Sequence, residues 1–138
     1  MIVRAVALLV TLPLIFAAPL AAEAQQQAGK VFRIGYLANE PVTTPMVAPV
    51  WGAFIEGLRE LGWVEGQNIT IEPRFSEGKM ERLPDLAAEL VRLKVDVIVA
   101  AASQPPVAAK QATGTIPIVM TNMGDPVGTG LVASLARP

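Results

Sequence analysis

The chain has no cysteine and no histidine among its 138 residues. Without cysteine there is no disulfide framework, so stability has to come from an ordinary hydrophobic core. Lacking both residue types also removes the commonest zinc ligands and the usual base of a nucleophile–base pair, which closes the easiest routes to catalysis. Charge is sparse and balanced, with 11 Lys and Arg against 12 Asp and Glu. No run of like charge occurs, and nucleic acid needs a concentrated basic face, so that class of partner is set aside. Aromatic residues make up only 5% of the chain. Trp51 falls on an apolar helical stripe and Trp63 follows a helix stop, so both read as packing groups rather than stacking platforms.

What is present begins with a leader pattern. Arg4 stands beside the amino terminus, an uncharged apolar run extends from Ala5 to Ala22, and Ala22-Glu23-Ala24 precedes three glutamines. A basic start, an apolar middle and small residues two apart predict a secretory signal peptide over 1–24. A membrane anchor is the alternative, but Pro13, Pro19 and the small-residue tail disfavour it, because a spanning helix wants about 20 good apolar residues. No cysteine lies near the cleavage site to carry a lipid. Removing Arg4 and Glu23 with the leader keeps the balance at −1. Residues 25–30 form a polar linker, and residues 31–138 hold about one domain's worth of chain.

From Val31 onward the hydrophobic period switches repeatedly. Residues 31–38 read as a first strand, rich in β-branched and aromatic side chains. Val47, Val50, Trp51, Phe54, Ile55, Leu58 and Leu61 follow the three-and-four spacing of one helix face. Thr44 suits the cap of that helix, Pro45 its first turn and Gly62 its stop. Residues 68–75 form a second strand whose Pro73 suits a sheet edge. A second helix starts near Met80 to Leu83 with Pro84 in its first turn. Residues 95–101 are a nearly continuous apolar run, as in strands covered on both faces. A third helix over 103–113 opens with Pro105-Pro106, residues 116–121 form a fourth strand, and Gly130 to Leu135 begins a further helix. This alternation predicts an α/β fold: an open parallel sheet of order 2-1-3-4 with helices on both faces. The apolar face opened by Leu131, Val132 and Leu135 predicts an incomplete lobe over 31–138.

In such a sheet, ligands bind outside the carboxyl ends of the strands, near the point where strand order reverses. The candidate ligand-binding residues are therefore Asn39 and Glu40 after the first strand, Ser103 and Gln104 after the third, and Asn122 and Asp125 after the fourth. Each has a plainer reading. Thr44 and Ser103 also suit helix caps, and Asp125-Pro126 suits a turn in which the carboxylate ties down its own backbone. No catalytic residue, metal site or cofactor is assigned. Gly128-Thr129-Gly130-Leu131-Val132-Ala133 matches the G-x-G-x-x-G/A dinucleotide pattern, but it trails the fourth strand rather than the first. That context speaks against a nucleotide-dependent Rossmann enzyme.

Several segments together resemble the ABC transporter substrate-binding protein family that includes tryptophan-binding periplasmic proteins. They are Arg33-Ile34-Gly35-Tyr36-Leu37, residues 54–63 (FIEGLRELGW), residues 95–100 (VDVIVA), Ile116-Pro117-Ile118-Val119-Met120 and residues 124–132 (GDPVGTGLV). The resemblance implies two α/β lobes closing over a small solute in the periplasm, with this chain holding part of the first. It also implies a membrane permease as partner, contact with the membrane only through that permease, and no catalysis. Ser103 stands where similar proteins place a Ser or Thr beside the ligand, and Asp125 stands in the matching Asp-Pro loop. Gln104-Pro105-Pro106 departs from the small residues often found there. The ligand-sensing lobe of a receptor, which uses the same fold, is the alternative reading.

Overall fold

The computed structural model describes residues 29–133. The leader and the 1–24 boundary lie outside them. Among the described residues no helix is long and apolar enough to cross a membrane. The ordered elements are β1 (Phe32–Ala38), α1 (Ala48–Glu60), β2 (Ile69–Phe75), a 3₁₀ turn (Met80–Arg82), α2 (Leu83–Arg92), β3 (Val97–Ala101), α3 (Gln104–Ala112) and β4 (Ile118–Thr121). The four strands form one sheet in the order β2-β1-β3-β4, and every pairing is parallel. The expected order 2-1-3-4 is therefore what the chain adopts. Pro73 stands opposite Tyr36 on the outer strand β2, where its missing N–H costs the ladder nothing on the open side.

Side-chain alternation divides the core between the two faces of the sheet. On one face Leu37, Ile98 and Ala100 meet α2 and α3 through Leu83, Leu86, Ala87, Leu90, Ala108 and Ala109. On the other, Ile34, Tyr36, Ala38, Ile69, Ile71 and Val99 meet the Trp51, Phe54, Ile55 and Leu58 stripe of α1. Gly35 lets α2 approach β1 closely: a Cβ there would lie 3.1 Å from Leu90 Cδ1 and 3.2 Å from Val95 Cγ2. The polar side of β2 is used as well, since Arg74 Nε donates to Glu89 Oε2 of α2 at 2.8 Å. Both groups are partly solvated, so this pair contributes well under about 1 kcal/mol.

The helix ends follow from local chemistry. Gly62 has φ +89°, its N–H donates to the Arg59 carbonyl, and the Trp63 N–H donates to the Leu58 carbonyl. This 6→1 and 5→2 pair closes α1 where Gly62 predicts the stop. The start of α1 differs from expectation. Thr44 does not cap it; its hydroxyl donates to the Pro41 carbonyl at 3.0 Å, and the N-cap is Val47. A helix begun at Pro45 would place Pro49 at its fifth position, where an N–H is required. Starting at Ala48 puts Pro49 within the first turn, where none is needed.

Residues 130–133 also depart from the expected helix. They form turns and bends rather than the start of a helix. Asp125 to Gly130 closes on itself: Thr129 N–H donates to the Asp125 carbonyl, and Gly130 N–H donates to that of Val127. Gly130 then takes φ +72°, which turns the chain out of the helical path.

Candidate functional site

Strand order reverses between β1 and β3, whose crossovers leave the sheet in opposite directions. At the carboxyl ends of these strands an open cleft of about 390 Å³ is present. Its floor is apolar: Ala38 and Ala101 from the strand ends, and Met46, Val47 and Val50 from the entry to α1. Asn39, Glu40 and Asn122 bring polar side chains to the lining, with Gly78, Met80 and Ala102 between them. A groove of comparable size, about 350 Å³, lies between α2 and α3 around Ala88, Val91 and Ala112, away from the strand ends. The helical groove also carries polar side chains, Arg92 and Gln111, but only the strand-end cleft lies at the carboxyl ends of the strands beside the order reversal, and it is the candidate site.

Tyr36 anchors the floor. It is only 6% exposed, and its ring packs edge-on against Trp51 at 4.8 Å and Phe75 at 6.3 Å, with Phe54 at 6.2 Å. Burial pushes the phenol above its ordinary value of 10.0, so it stays protonated throughout the neutral range. Tyr36 belongs to the cleft lining, and its hydroxyl makes no hydrogen bond among the described residues.

Two non-glycine residues at adjacent strand ends adopt left-handed backbone, Ala102 with φ +74° and Asn122 with φ +53°. Ala102 N–H donates to the Thr121 carbonyl at 2.9 Å, so β3 and β4 leave the sheet together. Such strain at an L-residue costs about 1–2 kcal/mol and is concentrated at functional sites. Asparagine tolerates the conformation; alanine has no side-chain reason to adopt it.

The structure brings together three of the six residues expected from sequence: Asn39, Glu40 and Asn122 all line the cleft. Ser103 and Gln104 follow Ala102 but lie outside the lining, half-buried and exposed respectively. Ser103 is the N-cap of α3 by position, yet its side chain makes no capping bond. Asp125 is exposed and takes the turn role: its Oδ1 accepts from the Gly128 N–H at 2.8 Å. A Cβ on Gly128 would collide with this carboxylate. Among the described residues no cluster of acidic side chains could hold a metal ion.

Sequence reasoning missed Tyr36, the Met46–Val50 wall, and Gly78 and Met80 after β2. The apolar members carry no signal of their own, because a cleft floor and a core stripe have the same composition. It also missed Ser76, which is fully buried and donates from Oγ to Asn39 Oδ1 at 3.2 Å.

Comparison with known proteins gives this geometry its context. Residues 39–138 match the family described as ABC transporter substrate binding protein. The chain is similar to a tyrosine-binding protein of Clostridioides difficile (strain R20291), at 39% identity over 100 residues, 72% of this chain and 29% of that protein. A ligand-free, open substrate-binding protein with adhesive properties from Clostridium difficile shares the fold with a TM-score of 0.70 at 30% identity, over 76% of this chain and 35% of that one. The L-Trp complex of an ABC domain from Streptococcus pneumonia gives a TM-score of 0.69 at 26% identity, over 77% and 35%. The chain thus spans about a third of the length of the relatives it matches. On the match across residues 39–138, supported by the shared parallel sheet, the chain belongs to the ABC transporter substrate-binding protein family.

Proposed function

We propose that this chain supplies one wall of a solute trap serving an ABC-type importer, with the solute held at the carboxyl ends of β1, β3 and β4. The observation that carries the reading is the cleft at the strand-order reversal, with its apolar floor and polar rim. Its dimensions fall within the range of small-molecule sites, about 300–1,000 Å³. A solute fitting this wall has an apolar body against Met46, Val47 and Val50, and a hydrogen-bonding end at Asn39, Glu40 and Asn122. An amino acid with a large apolar side chain meets both demands, in keeping with the tyrosine and L-Trp named for two relatives. In this reading Ser103, Gln104 and Asp125 engage the solute only after their loops shift toward it.

The remaining partners follow from the same role. Residues 1–24 act as a cleaved export signal, binding takes place in the periplasm, and the loaded protein docks on an ABC permease. No catalytic step belongs to this function. A single wall covers only part of a solute, whereas tight sites bury most of the ligand surface.

Calorimetric titration of the chain with a panel of amino acids tests the reading. We expect weak binding, with Kd on the order of 1 mM, confined to amino acids with large apolar side chains. Sub-micromolar binding would contradict the one-wall account. A preference for charged or very small amino acids would contradict the assigned solute class.

A further inference from the structure

The end of β1 is joined to the end of β2 by three hydrogen bonds. Ser76 N–H donates to the Ala38 carbonyl at 3.1 Å, and Glu77 N–H donates to the Asn39 carbonyl at 2.8 Å. The third is the side-chain bond from Ser76 Oγ to Asn39 Oδ1. Ser76 is 0% exposed, the one buried polar or charged residue among those described. A hydroxyl placed there without a partner would carry a desolvation penalty, so the bond to Asn39 is strongly enforced.

An asparagine amide has an acceptor on one side and two donors on the other, and here Oδ1 is the atom turned to Ser76. With Oδ1 occupied by Ser76, Nδ2 is left on the opposite side, and it has no partner among the described residues. Asn39 lines the cleft. We propose that Ser76 is a positioning residue that locks the Asn39 amide so its N–H pair faces the cleft, selecting an acceptor oxygen of the solute, such as a carboxylate, over an ammonium group. This deepens the proposed function and rests on the cleft being the solute site.

Two measurements on the full chain separate the parts of the proposal. The first needs no solute: the NMR order parameter of the Asn39 side-chain Nδ2. In the wild type it should approach the value of rigid backbone, about 0.85, and in Ser76→Ala it should drop below about 0.6 while the Ala38 backbone amide stays rigid. Equal mobility in both proteins overturns the positioning role. Ser76→Ala removes one buried oxygen, and Asn39→Asp, which keeps an acceptor for Ser76, covers the case in which it fails to fold.

The second measurement compares L-tryptophan with tryptamine, which lacks the carboxylate, as NMR-detected probes on Asn39→Asp. Replacing the donor pair with a carboxylate should weaken L-tryptophan at least about tenfold, since a lost charge-assisted bond is joined by like-charge repulsion. Tryptamine should not be weakened. Equal loss for both probes overturns the acceptor-oxygen assignment alone. No binding of either probe to the wild type overturns the solute reading and the assignment with it, while the order parameters still decide the role of Ser76.

Discussion

The two faces of the sheet are built to different standards. Against α2 and α3 the packing is aliphatic and closed, with Leu37, Ala87, Leu90, Ile98 and Ala109 all at 0% exposure. Against α1 it is aromatic and open: no residue of α1 is fully buried, and Val50 remains 51% exposed. The cleft opens on this second face, beside the entry to α1. Part of its apolar surface is therefore uncovered. One face holds the fold together and the other keeps surface in reserve.

Truncating matched residues on the two faces gives the sharpest contrast. Leu90→Ala should cost about 3–4 kcal/mol in urea unfolding, as a large-to-small change in a closed core does. Phe54→Ala on α1 should cost about 2 kcal/mol, despite the larger side chain, because that ring is only partly buried. Equal losses, or the reverse order, would break the comparison.

A smaller effect of opposite sign is expected at the cleft rim. Ala102→Gly removes about 1–2 kcal/mol of left-handed strain but loosens the unfolded chain by about 0.5–1 kcal/mol. The net should be a gain of about 0.5 kcal/mol in the same assay. A clear loss would show that Ala102 is not strained.

The smallest effect concerns pH. Burial raises the Tyr36 pKa, so the unfolded chain releases its phenolic proton near pH 10 while the folded chain still holds it. The stabilisation linked to this group is present below that pH and is lost as pH rises through the folded value. Wild-type stability should therefore fall more steeply above about pH 10 than that of Tyr36→Phe. Parallel curves would mean that the Tyr36 phenol ionises as freely in the fold as outside it.

Most of the scaffold was legible because its signals are local or periodic. Three-and-four spacing marked α1, a continuous apolar run marked β3, Pro73 put β2 on an edge, and Gly62 ended α1. The start of α1 was misplaced because Pro45 and Pro49 both suit a first turn, and only the demand for an N–H at the fifth position separates them. The turn at Asp125–Gly130 was half legible: Asp-Pro signalled it, but the apolar spacing beyond it read as a helix. For the candidate site, strand ends and polar loops pointed to Asn39, Glu40 and Asn122, which line the cleft. Tyr36 and Ser76 were hidden because their contacts join residues far apart in sequence, which composition and period do not encode.

The central claim is that the strand-end cleft, not the groove between α2 and α3, receives the solute. Titrating the ¹⁵N-labelled chain with L-tryptophan and mapping the amide shifts tests it directly. The account predicts changes at Asn39, Glu40, Val47, Ala102 and Asn122, with Ala88, Val91 and Ala112 unmoved. Shifts centred on α2 and α3 with a silent strand-end rim would contradict it.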